Sequence, residues 1–271
     1  LPRIAHISDL HLQSEVPERQ AQVEPILKAI NDAKPDLVVI SGDVTDDGWD
    51  SIDELRWAKG WLGERIGADW LALPGNHDVG NFASLKSGVV QAERIDQWER
   101  VFGDLTPIVL DSWVVIGLNS MLNGSGLVAE TDQSGRLDGQ VAEVRDKGQH
   151  LAVFLHSPIY VEHVDEPEDE AAAYWLGPSA ARHTAWSTLQ QADVKLIGCG
   201  HVHQTRLTQS DGVSVAWAPP ASGTWVHAPG LPNEAMPEQT GFFLHTLTDD
   251  GRVASKLVEV GAMLKLYEHK P

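Results

Sequence analysis

Five times in its first two hundred or so residues the chain runs through a short apolar stretch and then, at a turn, into a cluster of Asp, Asn and His. Residues 4–7 lead to Asp9-Leu10-His11, 37–40 to Gly42-Asp43-Val44-Thr45-Asp46, and 70–73 to Gly75-Asn76-His77-Asp78. Residues 151–155 lead to His156-Ser157-Pro158, and 194–199 to Gly200-His201-Val202-His203. These runs, with a sixth at 113–118, are apolar almost throughout rather than alternating, the pattern of strands covered on both faces. In an open α/β sheet the carboxyl ends of parallel strands share one edge. The five polar clusters are therefore expected to meet in one crevice.

Helical signals lie between the runs. Residues 51–66 open with Ser51 and Glu54 at capping-box spacing, carry Ile52, Leu55, Leu62 and Ile66 near helical period, and meet Gly67 as a stop. Residues 91–102 place Ile95, Trp98 and Phe102 on one stripe before Gly103. Residues 18–33 do the same with Val23, Ile26, Leu27 and Ile30, with Pro25 expected either to kink that helix or to delay its start. Strand and helix alternate, which argues an α/β architecture. From Val213 onward the chain reads as strands joined by turns, with Asp250-Gly251 dividing a hairpin of 241–248 and 252–260. With no repeats or low-complexity linkers, one domain over 1–271 is expected: a core of 1–210, then 211–271 completing a second sheet.

Charge narrows the partners. With 39 acidic against 20 basic side chains the formal net charge is −19, the wrong sign for neutralising phosphates along duplex nucleic acid or an anionic membrane. Cys199 is alone, so no internal disulfide can form; it reads as a small buried hydrophobe, and a cytoplasmic location is the default. No stretch approaches 18 apolar residues and no signal-peptide pattern opens the chain, although a start at Leu1 rather than Met leaves room for a removed leader. Oligomeric state leaves no mark in the sequence.

Carboxylates, imidazoles and an amide suit divalent manganese, iron or zinc, whereas a thiolate site would need cysteines. Seven such ligands would be more than one tetrahedral ion takes. Two cations roughly 3.5–4 Å apart repel, so a bridging anion is wanted, and Asp43 is the candidate. Glycines at 42, 75 and 200 are expected to let the backbone turn sharply there.

Taken in order, Asp-x-His, Gly-Asp-x-x-Asp, Gly-Asn-His-Asp, His and Gly-His-x-His resemble the calcineurin-like metallophosphoesterase superfamily over residues 9–203. The resemblance implies a four-layer αββα sandwich, two mixed sheets face to face with helices outside. It also implies two divalent metal ions, with Asp9, His11 and His203 on the first, Asn76, His156 and His201 on the second, and Asp43 as bridge. Such a pair can lower the pKa of a shared water to about 7, giving a metal-bridging hydroxide for in-line displacement at phosphorus. His77, beside Asn76 but not needed as a ligand, is the expected general acid, with Asp46 implied by the resemblance to hold its other ring nitrogen. The Gly-Asn-His-Asp is similar to that of bacterial cyclic-nucleotide and glycerophosphodiester phosphodiesterases, which favours a small-molecule phosphodiester as substrate. A phosphomonoesterase with the same site is the runner-up. Thr45 and Asp46 stand where a purple acid phosphatase would have its tyrosine, and a DNA exonuclease is disfavoured by charge. A binding module that had lost catalysis would lack the His of Gly-Asn-His, which is present as His77.

Other residues read more plainly. His6, His150, His163, His183 and His245 are expected to be ordinary surface or core residues, and Trp57, Trp61, Trp98 and Trp113 to pack the core. Asp78 fits either a hydrogen bond to a ligand or a loop cap. Trp175, Trp225 and His227 stand in Pro- and Gly-marked loops that could rim a pocket, and the acidic run 162–170 could repel doubly charged monoesters from its mouth.

Overall fold

A computed structural model describes residues 1–85, 88–162, 170–223 and 239–262. In chain order its elements are β1 (Arg3–Ile7), α1 (Pro17–Ala33), β2 (Leu37–Ile40), α2 (Ile52–Gly63), β3 (Asp69–Ala72), α3 (Asn76–Val79), α4 (Ala92–Phe102), β4 (Ile108–Leu110) and β5 (Trp113–Leu118). There follow α5 (Val128–Lys147), β6 (His150–Leu155), α6 (Glu170–Leu176), α7 (Ser179–Leu189), β7 (Asp193–Cys199), β8 (Arg206–Ser210), β9 (Val213–Trp217), β10 (Gln239–Leu247) and β11 (Val253–Ala262). The six apolar runs are all strands.

Two mixed sheets result, ordered β11-β10-β1-β2-β3 and β4-β5-β6-β7-β9-β8. Within them β1, β2 and β3 are parallel, as are β5, β6, β7 and β9. The alternation of side chains explains why the runs are apolar on both parities. Ile4, Leu37 and Val39 of the first sheet meet Trp113, Val115, Ala152, Phe154 and Leu196 of the second in the layer between them. Their neighbours Ala5, Ile7, Val38 and Ile40 face outward, under Ile26 and Ile30 of α1, Leu55 and Leu62 of α2 and Trp98 of α4. On the far side, Leu137, Val141 and Val144 of α5 and Leu189 of α7 cover Ile116, Leu151 and Val153. The protein is therefore a helix–sheet–sheet–helix α/β sandwich.

Several expectations are refined. Helix α1 starts at Pro17, where the missing N–H would have been unpaired in any case, and continues through Pro25. Ser51 accepts from the Glu54 N–H as the N-cap of α2, but the helix ends at Gly63; Ile66 packs in the core beyond it, and the Gly67 N–H is bonded to Asn31. The tail does not complete one sheet: its β9 enters the second between β7 and β8, while the β10–β11 hairpin joins the first. The reason is that β1 has a free edge, which β10 pairs antiparallel through Arg3–Thr246 to His6–Phe243. Trp175 lies in α6 and is buried rather than lining a loop. Trp225, His227, His163 and residues 163–169 of the acidic run lie outside the described residues.

His6 and His245 are fully buried between the sheets, in a polar row that runs Ser41 Oγ, His6, His245, Ser255 Oγ at 2.9, 3.5 and 2.7 Å. Burial holds both rings neutral: it pushes His245 down to about 3 and, with the help of His245, puts His6 well below its ordinary value. As pH falls below the unfolded histidine value of about 6.5, the unfolded chain gains protons that the folded one refuses, so stability is lost on acidification. For His245 alone this amounts to about 2 kcal/mol between pH 6.5 and 5, at 1.36 kcal/mol per unit. Urea unfolding of the metal-free protein at pH 7 and pH 5 should show a smaller acid loss in His245→Gln than in the wild type, by about that amount. Equal losses would mean that His245 is not held neutral.

Candidate metal centre

The chain leaves β1, β2, β3, β6 and β7 at their carboxyl ends and immediately presents the polar clusters. The first two exits run side by side, tied by Asp9 N–H to Gly42 O, His11 N–H to Asp43 O and Leu12 N–H to Val44 O at 3.0–3.1 Å. Among the described residues eight that are not glycine have a positive φ, and five of these are Asp9 (55°), His11 (44°), Asp43 (47°), His201 (68°) and His203 (54°). Left-handed backbone costs an ordinary side chain about 1–2 kcal/mol. Its concentration at one rim marks a place where geometry is held against local preference.

The glycines do more than turn. Gly42 has φ +100°, but Gly75 and Gly200 do not need a left-handed conformation; what they provide is room. A Cβ on Gly75 would stand 2.1 Å from Asp43 Oδ1, and one on Gly200 would stand 1.8 Å from Ser8 Oγ and 2.5 Å from Asp9 Oδ2. Asp78 holds the loops together. Its buried carboxylate accepts from the N–H groups of Gly75, Val44 and Thr45 and from Thr45 Oγ1 at 2.7–3.1 Å, so it fixes backbone rather than a ligand side chain. Burial and the neighbouring Asp43 push it up to about 6.

Three groups of side chains that could hold a metal ion converge here, each with its donor atoms within 4.8 Å of one another: Asp9, His11, Asp43 and His203; Asp43, His156 and His201; and the less buried His11, Asp46 and His77. Asp43 belongs to the first two. Its Oδ2 lies 3.6 Å from His11 Nε2 and 3.2 Å from His156 Nε2. Asp9 Oδ1 lies 3.3 Å from His203 Nε2, and Asn76 Oδ1 3.2 Å from His156 Nε2. All seven residues predicted from the sequence are brought together and buried.

Each histidine has one ring nitrogen occupied and the other turned inward. His11 Nδ1 meets Asp46 Oδ1 at 2.9 Å, His156 Nδ1 meets Ser41 O at 2.8 Å, His203 Nδ1 meets Gly223 O at 2.9 Å, and His201 Nε2 meets Tyr174 O at 3.0 Å. Each such partner accepts a hydrogen bond from the ring and leaves the opposite nitrogen for the interior, the arrangement of metal-binding imidazoles. Charge agrees. Burial alone would raise the two carboxylates, yet His203 brings Asp9 down to about 2, and His156 and His77 put Asp43 well below its usual range. Burial works against a charge on His156 as well, but Asp43 and Asp9 beside it carry that ring up to about 9. Burial keeps His11 and His201 neutral, the latter at about 3. Two buried carboxylates demand positive charge beside them, and hard-to-borderline donors without thiolate suit manganese, iron or zinc.

His77 stands apart from the two groups that share Asp43 and meets only His11 and Asp46 in the third. Its side chain is about 30% exposed, and its main-chain N–H donates to Asp43 Oδ1 at 2.9 Å. Burial would lower it, but Asp43 and Asp46 raise it. Asp46 does hold its Nδ1, although through the main-chain oxygen at 2.7 Å; the carboxylate is 3.7 Å away and is taken by His11 and by Arg19, 2.7 Å distant. Arg19, buried and also bonded to His11 O, escaped the sequence reading. Its signal was present, because it lies on the same helical stripe as Val23, Ile26 and Ile30. Tyr174, whose carbonyl serves His201, gave none.

A profile of calcineurin-like phosphoesterases matches residues 2–205. The chain belongs to the calcineurin-like phosphoesterase family. It is 27% identical over 218 residues to a probable glycerophosphodiester phosphodiesterase of Arcobacter nitrofigilis, covering 76% of this chain and 73% of that one. It is 26% identical over 241 residues to a probable cyclic nucleotide phosphodiesterase of a Synechococcus strain, covering 84% of each. Among solved structures it is similar in fold to GAP50, the anchor in the inner membrane complex of Plasmodium, with TM-score 0.67 and 15% identity over 99% of this chain and 88% of that one. The family and the geometry together make this rim a possible dimetal site of Asp and His residues.

The cradle can be tested without assaying turnover. Gly200→Ala should push Ser8 and Asp9 apart, destabilise the protein by about 1–3 kcal/mol and lower its bound metal by elemental analysis. Gly139→Ala on α5, where a Cβ meets nothing within 4 Å, should do neither. Full metal content in Gly200→Ala would show that the close approach is dispensable.

Proposed function

We propose that the protein hydrolyses small phosphodiesters at a dinuclear centre in which Asp9, His11, Asp43 and His203 hold one divalent ion and Asp43, Asn76, His156 and His201 the other. The observation that carries this reading is Asp43, one buried carboxylate shared by two groups of donors, with His77 beside it and grouped only with His11 and Asp46. A pair of ions there would supply a hydroxide nucleophile near neutral pH and neutralise charge on the phosphoryl oxygens.

The protein's own part is positioning and proton transfer. Strand ends from both sheets fix the donors, so no loop has to close to assemble them. His77 presents the one partly exposed imidazole of the site among the described residues, held by the Asp46 carbonyl at Nδ1, which leaves Nε2 to donate a proton to the departing alkoxide. The raised affinity of that ring for its proton supports the acid role.

Preference for diesters over monoesters is supported by the names of the two phosphodiesterase relatives and by the net charge of −19, which disfavours a dianion more than a monoanion. The partner is a small phosphoester rather than duplex nucleic acid. No helix among the described residues is long and apolar enough to cross a membrane.

His77→Ala should keep its bound metal yet lose about 10²–10⁴-fold in kcat on alkyl diesters, and much less on bis-p-nitrophenyl phosphate, whose leaving group needs no proton. Equal losses on both substrates would contradict the acid role. A panel of cyclic nucleotides, glycerophosphodiesters and monoesters should give the highest kcat/KM on a diester; a monoester in that place would favour the phosphatase reading.

A further inference from the structure

The four histidines among the proposed ligands are each held from behind at one ring nitrogen, but they are not held alike. His156, His203 and His201 lean on the main-chain carbonyls of Ser41, Gly223 and Tyr174, which the backbone fixes in place. His11 leans on a side chain, the Asp46 carboxylate, with its Nδ1 2.9 Å from Oδ1. A carboxylate can rotate away from a ring unless something holds it. Arg19, in the first turn of α1, does so: its Nη1 stands 2.7 Å from the same Oδ1 and donates to the His11 carbonyl at 2.8 Å. One nitrogen thus ties the side chain of Asp46 to the main chain of the residue whose ring that side chain must meet.

The placement of Arg19 works against local preference. The first turn is the positive end of a helix dipole, and a buried guanidinium has also given up its water. Arg19 is nevertheless buried there, on the apolar stripe with Val23, Ile26 and Ile30. Packing alone would favour an aliphatic side chain at that position, so the reason for a guanidinium lies in the two acceptors it reaches. We infer that Arg19 is a positioning residue for the first half of the metal centre: it holds the Asp46 carboxylate against His11 Nδ1 and so keeps His11 Nε2 for the ion. This rests on the two-ion reading above. His156 and His201, in the other half, lean on main-chain carbonyls elsewhere and should not depend on it.

Arg19→Met keeps most of the aliphatic stem and removes the guanidinium. Calorimetric titration of the metal-free protein with Mn²⁺ should show two binding steps in the wild type, and His203→Ala marks the one that belongs to the first half by weakening it. Arg19→Met should weaken that same step about 10-fold, the lower end of what losing an outer partner of a ligand costs, with the other step unchanged. Arg19→Lys keeps a cation without the planar fork and should fall between Arg19→Met and the wild type. Asp46→Ala should weaken the step about 10- to 100-fold, and adding Arg19→Met to it should cost nothing more, because the guanidinium reaches the ring through the carboxylate. A merely structural salt bridge would leave the first-half step where it was or weaken both steps alike; either result would overturn the role, as would a further loss in the double variant. If Arg19→Met does not fold, Arg19→Lys decides: a weaker first-half step beside an unchanged second supports the role, and two wild-type steps overturn it. A wild type that binds a single equivalent would overturn the two-ion centre itself, and this role with it.

Discussion

A carboxylate with almost no exposure to water, set between two clusters of imidazoles, is the constraint around which the protein is organised. Asp43 is 2% exposed and faces His11 on one side and His156 on the other. Burying an anion is costly unless positive charge and hydrogen bonds surround it. The neighbourhood answers that demand in layers: imidazoles around Asp43, then carbonyls and the Asp46 carboxylate behind the imidazoles, then Arg19 behind Asp46. The left-handed backbone at five donor residues and the side-chain-free approach of Gly75 and Gly200 are the steric side of the same arrangement.

The two-sheet architecture makes this possible with short loops. β1, β2 and β3 deliver Asp9, His11, Asp43 and Asn76 from one sheet; β6 and β7 deliver His156, His201 and His203 from the other. The rim is therefore built on strands buried on both faces, and the packed layer of Ile4, Val39, Phe154 and Leu196 sets the separation of the two halves. Rigid placement of this kind suits a reaction whose demands are geometry and charge.

What the sequence disclosed followed from physics that is local in sequence. Runs apolar on both parities mark doubly covered strands, and a polar cluster straight after such a run marks a strand end, so the six central strands and the convergence of the seven residues at one rim were legible. Elements whose pattern is weak were not. α5 carries Gly135 and Gly139 and a mostly polar surface, and β8 is the polar edge segment Arg-Leu-Thr-Gln-Ser, so neither announces itself. The destination of the tail was also misjudged, since a hairpin signal says that two strands pair but not which free edge they join. Within the site, the missed features act across space: Asp46 gives His77 its carbonyl rather than its carboxylate, and the Tyr174 carbonyl meets the His201 ring from a separate helix.

The central claim, two ions sharing Asp43, is tested most directly by anomalous scattering from crystals grown with Mn²⁺. The account predicts two peaks roughly 3.5–4 Å apart on either side of Asp43 Oδ2, one against Asp9, His11 and His203 and the other against Asn76, His156 and His201. A single peak, or peaks that leave Asp43 out, would contradict it.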